Sequence, residues 1–282
     1  MWWNQAVSGE GGSTSDFLAL KNQISSLQQR RRGRYPPLAT PDLASPIGEA
    51  DEAEVRVPLA LDCMCGPNAP WSRALEWCGW STRPRDWLID PAHDLTSPAM
   101  QSEVRASLAS ADALLWAMDC NTLTRARDRP IPGESHPPMR LRSQRCLIGL
   151  PELQKPQHAE LLQRVQRANS LVAFSGSTLL QAASKNVAAL AENPLNSYYW
   201  QFPELVQFLA FEDVDDVDYM ACALGGARAK KQRLRSNVRE MADLASTCRH
   251  VHADTEWDRV RGDSGRWEYC TPRRRRRSSQ QT

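Results

Sequence analysis

The chain has 282 residues, enough for one large domain or two small ones. Its formal net charge of +2 gives no global field that would indicate a nucleic-acid binder. No apolar run reaches the roughly 18 residues that span a bilayer, and no signal peptide is evident. Eight cysteines form no CxxC pair, and at Cys63 and Cys65 buried thiols are favoured over a metal site. We expect an intracellular protein without a membrane partner or metal.

The first 53 residues are predicted to precede the folded domain. Residues 1–14 are rich in Gly and Ser and predict disorder. Residues 16–29 carry apolar side chains at heptad spacing and predict a short amphipathic helix. This helix could dock on the domain or mediate self-association. Prolines in residues 35–53 predict a linker.

Residues 54–252 alternate short apolar runs with helical segments. This order predicts an α/β domain with a mostly parallel, twisted sheet and helices on both faces. A polar tail from residue 253 ends in five arginines and is predicted to be disordered. The predicted strands are 55–62, a short strand that 79–82 leads into and that ends near Asp86, 111–118, 187–191 and 217–223. The predicted helices are 70–78, 98–110, 157–183, 204–209 and 238–247.

Polar residues follow the first two predicted strands, at the sheet edge where open parallel sheets bind ligands. Asp62 ends the first strand, and a turn containing Gly66 and Asn68 would let a ligand approach the backbone. After the second strand, Asp86 could accept ribose hydroxyls and Trp87 could stack on an adenine. The alternatives are an ordinary turn and a surface acid beside a core tryptophan.

The third and fourth strands end in groups that can do covalent and acid–base chemistry. Cys120 lies just past a strand, near Arg125 and Arg127, which favour a thiolate, whereas Asp119 opposes it. A buried structural cysteine is the alternative. Glu192 ends the fourth strand, and the following Asn-Pro turn would aim its carboxyl into a cleft.

A basic stretch at 225–235 completes the set. Arg233 and Arg235 are at alternate positions, so on a strand they would share one face and could meet an oxyanion or a phosphate. The alternative is a solvated basic edge strand. The arginine-rich tail could bind phosphates or act as a nuclear-import signal. The predicted nucleic-acid contacts are Arg125, Arg127, Arg228, Lys230, Lys231, Arg273, Arg274 and Arg275.

The order of these pieces is similar to the motif order of cytosine-C5 DNA methyltransferases. Several stretches also look close to methylase-like domains of some eukaryotic mobile-element polyproteins: 122–127, 141–143, 149–151 and 192–200. The family motifs are matched by Leu61–Asn68 with Ala74–Trp80, by Asp86–Trp87, by the strand Asp112–Cys120, by Glu192–Asn193, and by Lys231–Arg235 for the Gln-x-Arg-x-Arg motif.

The resemblance implies a Rossmann-like class I methyltransferase that uses S-adenosylmethionine. The cofactor would lie over the Gly66 turn, with its ribose on Asp86 and its adenine near Trp87. The neighbouring residues Asp62, Asn68 and Asp119 are included in the predicted cofactor site.

The resemblance also implies the catalytic roles. A cytosine flipped out of DNA would enter the cleft, where the Cys120 thiolate attacks C6. Glu192 would bond N3 and the exocyclic amine. Arg233 or Arg235 would hold the base carbonyl and lower the pKa of the cysteine.

Three departures from the family pattern leave the activity open. Asp119 stands where the family has proline, the glycine-rich turn is reduced to Gly66-Pro67-Asn68, and Lys231 stands where the arginine motif has its glutamine. A separate DNA-recognition domain is not evident. The alternatives are a catalytically inactive relic that acts as a nucleic-acid-binding or protein-interaction module, and an unrelated α/β protein.

Overall fold

A computed structural model describes residues 56–128, 139–224, 230–248, 259–261 and 267–269. The predictions for residues 1–53, for Arg228 and for Arg273, Arg274 and Arg275 lie outside these residues. The chain divides into two units, residues 1–248 and residues 249–282.

The first unit contains a six-stranded sheet in the order β2-β1-β3-β4-β6-β5. The pairs β1–β2, β1–β3 and β3–β4 are parallel, whereas β6 is antiparallel to both β4 and β5. The mostly parallel α/β sheet predicted from the sequence is therefore confirmed. The strands are β1 Leu59–Cys63, β2 Ser81–Arg85, β3 Ala113–Ala117, β4 Ala188–Pro194, β5 Asp215–Met220 and β6 Lys231–Ser236.

Four α-helices connect the strands close to the predicted positions. They are α1 Pro70–Trp77, α2 Pro98–Leu108, α3 Ala159–Ser184 and α4 Pro203–Leu209. Three of them begin with proline at the first position, where the missing N–H costs no hydrogen bond. The fifth predicted helix, 238–247, is instead the 3₁₀ helix Arg239–Leu244. This 3₁₀ helix is six residues long, and such helices are used in short pieces.

Helices cover both faces of the sheet, as predicted. One face packs against α2, α3 and α4 in the largest apolar cluster, which contains Leu61 and Trp116. The neighbouring residues Ala60 and Leu115 point to the opposite face and pack with α1. On that second face, Leu190 and Leu234 pack with the 3₁₀ helix.

Strand β6 lies inside the sheet, between β4 and β5. The alternative prediction of a solvated basic edge strand is therefore wrong. The neighbouring strand β5 explains why β6 can lie inside the sheet, because Asp216 and Asp218 stand directly opposite Arg235 and Arg233. Because acids on the neighbouring strand neutralise the arginines, a strand that looks polar in sequence can lie inside the sheet.

The second unit contains a two-stranded antiparallel sheet, formed by β7 Arg259–Arg261 and β8 Trp267–Tyr269. These two strands lie within the tail that the sequence predicts from residue 253 onward, and its predicted disorder stays a prediction. Aromatic residues such as Trp267 and Tyr269 favour strands. The prediction of disorder was based instead on the polar composition of the surrounding residues.

The loop between β3 and α3 is anchored by Arg142, which is 1% exposed. Its guanidinium donates to the carbonyl oxygen and hydroxyl of Thr122, to the carbonyl oxygens of Leu147 and Val165, and to Asn169 Oδ1. All of these acceptors are neutral, and burial lowers the pKa of Arg142 to about 10. One buried cation thus ties the turn after Cys120 to the following loop and to α3.

Candidate active site

The candidate site lies at the carboxyl ends of β1, β3 and β4. The chain runs from β1 outward to β2 and then returns to the other side of β1 to form β3. This reversal of direction is the switch point at which open α/β sheets bind ligands. The Gly66 turn follows β1, and Cys120 follows β3.

The turn after β1 is tight and is held by Asp86. Met64, Gly66 and Ala69 have φ angles of 57°, 74° and 37°, in the left-handed region. The Gly66 N–H donates to Asp86 Oδ2 at 2.8 Å, and the Leu88 N–H donates to Oδ1 at 2.9 Å. Asp86 is buried and thus fixes the turn, while each oxygen keeps a second lone pair. Its predicted contact with a ribose stays a prediction.

Asp62 holds the start of α1. Its Oδ2 accepts from the Ser72 N–H at 3.0 Å and from the Ser72 hydroxyl at 2.8 Å. Its Oδ1 is buried without a hydrogen-bond partner. Burial raises the pKa of Asp62 to about 7, more than the hydrogen bonds from Ser72 lower it. One oxygen of this carboxyl is structural and the other is available to a donor.

Trp87 is 55% exposed, so the alternative prediction of a core tryptophan is wrong. The guanidinium of Arg167 lies 5.8 Å from its ring centroid and pairs with Asp94 at 2.9 Å. The second predicted cofactor residue beside the turn, Asn68, is also exposed. An exposed indole at the end of β2 offers a planar surface for stacking.

Cys120 lies in a turn directly after β3. Its carbonyl oxygen accepts from the N–H groups of Leu123 and Thr124 at 3.0 and 2.8 Å. Asp119 is exposed and accepts from the backbone and side chain of Asn121 at 3.0 and 2.9 Å. Burial raises the pKa of the Cys120 thiol, and the charges of Asp119 and Glu192 add to this, whereas Lys230 opposes it. The thiol is therefore the favoured form.

Glu192 is 9% exposed and lies on β4, opposite Ala117, which precedes Cys120 by three residues. Gln232 Nε2 donates to Glu192 Oε1, and the amide oxygen of Gln232, Oε1, is buried without a partner. Burial raises the pKa of Glu192, and the positive charge of Lys230 opposes the shift. Gln232, which the sequence analysis did not select, thus belongs to the site.

Asn193 is fully buried and joins the ends of β4 and β3. Its Nδ2 donates to the Met118 carbonyl oxygen at 2.7 Å, and its Oδ1 has no partner. The sequence analysis used Asn193 only as part of a motif. Together with Asp62 and Gln232, it leaves buried polar atoms without hydrogen-bond partners on β1, β4 and β6, and such atoms in a native structure call for an explanation.

Arg233 and Arg235 do not join Cys120 and Glu192. In the β4–β6 register Glu192 stands opposite Leu234, so the two arginines point to the other face of the sheet. The structure therefore does not bring the two predicted arginines together with Cys120 and Glu192.

Two aspartates neutralise these arginines. Arg235 binds Asp216 at 2.6 and 2.8 Å and donates to the Leu205 carbonyl oxygen at 2.7 Å. Arg233 bonds Asp218 at 2.7 and 3.0 Å and Asp216 at 2.8 Å. Both cations are engaged in ion pairs within the sheet, where they stabilise the β5–β6 pairing.

The predicted nucleic-acid contacts occupy different environments. Arg125 lies 5.1 Å from the Tyr198 ring centroid, and its Nε is buried without a partner. Lys231 is exposed, and Lys230 is half-buried. The side chain of Arg127 lies outside the described part of the chain. No described contact tests nucleic-acid binding by these residues.

The comparisons with known proteins give no relative. No protein-family model matches the chain, and neither the curated proteins nor the solved structures give a match. Within the described ranges, no group of three or more His, Cys, Asp or Glu side chains could hold a metal ion. No helix in that part of the chain is long and apolar enough to cross a membrane.

Proposed function

We propose that the protein is a Rossmann-like, S-adenosylmethionine-dependent methyltransferase whose site is built to methylate C5 of cytosine in DNA. The observation that carries the proposal is the juxtaposition of Cys120 and Glu192. Cys120 follows the end of β3 by three residues, and Glu192 lies on the neighbouring parallel strand β4, opposite Ala117. Burial raises the pKa of the Cys120 thiol, and the charges of Asp119 and Glu192 add to this. A nucleophile beside a buried carboxyl is the pair that addition to a pyrimidine ring requires.

The two residues would divide the chemistry between them. Cys120, as a thiolate, would add to C6 and make C5 electron-rich. Burial raises the pKa of Glu192, so its carboxyl group would hold a proton at N3 of the base. Its other role would be to accept a hydrogen bond from the exocyclic amine. Gln232 holds one oxygen of Glu192, so the other oxygen faces the substrate.

The residues at the ends of β1 and β2 fit the cofactor. The left-handed turn at Gly66 allows close approach, Asp62 has an unpaired buried oxygen, and Trp87 exposes its ring. When bound, S-adenosylmethionine supplies an electrophilic methyl group. Asp86 would orient the ligand indirectly by fixing the turn through the Gly66 N–H.

The first test is calorimetric titration of the full-length protein with S-adenosylmethionine and S-adenosylhomocysteine. Micromolar binding, on the order of −8 kcal/mol, supports the cofactor site. Transfer of a labelled methyl group to DNA is then measured, and the Cys120→Ala variant is the control. A folded protein that binds neither compound would overturn the proposal.

A second candidate is a catalytically inactive module that binds nucleic acid or a protein partner. The observation that favours it is the combination of burial and the Asp119 charge, which raise the pKa of Cys120 and disfavour the nucleophilic thiolate. This candidate predicts DNA binding without methyl transfer. Retention of DNA affinity in Cys120→Ala, with no transfer by the unmodified protein, would distinguish it from the enzyme.

A further inference from the structure

Lys230 lies directly before β6, at the sheet edge where β3 and β4 end. Its carbonyl oxygen accepts from the Ala221 N–H at 2.9 Å, and that of Lys231 accepts from the Leu195 N–H at 3.1 Å. Gln232, two residues later, bonds Glu192. Because side chains alternate along a strand, Lys230 lies on the face of Gln232 and Glu192, and Lys231 lies on the other.

Among the residues that the structure describes, the charged groups that shift the pKa of Cys120 come from three elements. Asp119 is in its own turn, Glu192 is on β4, and Lys230 precedes β6. Lys230 also acts on Glu192. None of the salt bridges among the described residues contains Lys230, whereas Arg233 and Arg235 are both paired with aspartates. Lys230 therefore takes the place that the sequence analysis gave to the arginines.

We infer that Lys230 is a positioning residue, the fixed counter-cation for one negative charge that Cys120 and Glu192 share. The inference rests on the proposed function for its role in catalysis and deepens it. Without a substrate, the negative charge is on Glu192, because a carboxyl group is a stronger acid than a thiol. When Cys120 loses its thiol proton and Glu192 takes up a proton, the charge moves to sulfur, and Lys230 balances it in both forms.

This sharing follows from burial and Coulomb interactions. Two anions near one cation leave an uncompensated charge at the edge of the core, which is costly in a medium of low polarity. One anion and one cation leave the buried part of the site neutral, because the remaining charged group, Asp119, is exposed to solvent. Because the charge of Glu192 raises the pKa of Cys120, ionisation of the two groups is coupled.

The test measures the alkylation rate of Cys120 by iodoacetamide against pH in the full-length protein, with mass spectrometry of the Cys120 peptide. In Lys230→Met we expect the rate below the thiol pKa to fall about threefold to tenfold, because tenfold corresponds to one pKa unit. Lys231→Met, on the other face, is the matched control and should leave the rate unchanged. Lys230→Arg should restore it.

Glu192→Gln tests the other half of the pair and should increase the alkylation rate, because it removes a negative charge near sulfur. Circular dichroism verifies that each variant is folded, and Lys230→Gln replaces Lys230→Met if the latter is not. An unchanged rate in the folded variant, or an equal effect of Lys231→Met, would overturn the inference. The measurement needs neither cofactor nor DNA, so its failure is distinguishable from failure of the proposed function.

Discussion

The loop anchor at Arg142 and the candidate site near Glu192 are both buried and polar, but they differ in how their hydrogen bonds are satisfied. Arg142 donates to five acceptors and needs no ligand. Near Glu192, the oxygens Gln232 Oε1 and Asn193 Oδ1 are buried without partners. Saturated polar groups hold a fold together, whereas unsatisfied ones usually have a functional reason. The comparison separates the two roles within one domain.

The largest expected effect is at the anchor. Arg142→Met would leave the carbonyl oxygens of Thr122, Leu147 and Val165 without this donor, and we expect a loss of about 3–5 kcal/mol in the free energy of unfolding. Urea titration measures it. Arg140→Met is the control, because that side chain is exposed and its ion pair with Asp128 is long, at 3.4 Å. Equal, small effects of the two variants would break the comparison.

Asp62 should make stability depend on pH. Its folded-state pKa of about 7 is above the ordinary value of 3.8, so the folded protein holds this proton more tightly. The resulting stabilisation is full below about pH 4 and is lost as the pH rises through about 7. Asp62→Asn removes the dependence.

The corresponding measurement is urea unfolding at pH 5 and pH 7.5. We expect the asparagine variant to gain stability relative to the unmodified protein at the higher pH, on the order of 1–3 kcal/mol. Asn still has an oxygen that can accept from Ser72. Asp90→Asn, at an exposed position, is the control, and a parallel response of both variants would contradict the assignment.

Gln232→Met should change the free energy of unfolding by less than about 1 kcal/mol. It removes the hydrogen bond to Glu192, but it also removes a buried oxygen without a partner, and these effects oppose each other. Thermal or urea unfolding checks this, with Arg142→Met as the reference. A loss as large as that at Arg142 would mean that Gln232 is a structural residue.

The smallest effect is expected at Asp119. Asp119→Asn removes a negative charge that raises the pKa of Cys120, so alkylation of Cys120 below its pKa should become about twofold to threefold faster. Because Asp119 is exposed, added salt should reduce the difference. A slower reaction in the variant would show that Asp119 acts through the turn geometry rather than through its charge.

The alternation of apolar runs and helical segments predicted the sheet, because the spacing of apolar residues in a strand or helix can be read from residues that are close in sequence. The position of β6 could not be predicted in this way. Its arginines require Asp216 and Asp218, which a local pattern does not connect to them. The matched spacing of Asp216-x-Asp218 and Arg233-x-Arg235 is a sequence signal that could have indicated the pairing.

The candidate site was predicted only in part, because local patterns indicate where strands end but not how distant strands pair. Strand ends identified Cys120 and Glu192, since the carboxyl ends of parallel strands lie at one edge. The face on which each residue of β6 lies depends on its register with β4, and this decided between the arginines and the pair Lys230 and Gln232. Register is set by tertiary pairing, so the sequence motif selected residues on the wrong face.

The ion pairs between β5 and β6 also select the register in which the two strands align. In the native register Asp216 faces Arg235, and Asp218 faces Arg233. A shift of two residues would place Asp216 against Arg233 and leave the buried Arg235 without an acid, and a shift of one would turn the arginines to the opposite face. Misaligned pairings are therefore penalised by uncompensated charge, and the strand that carries Gln232 to Glu192 has one favourable position.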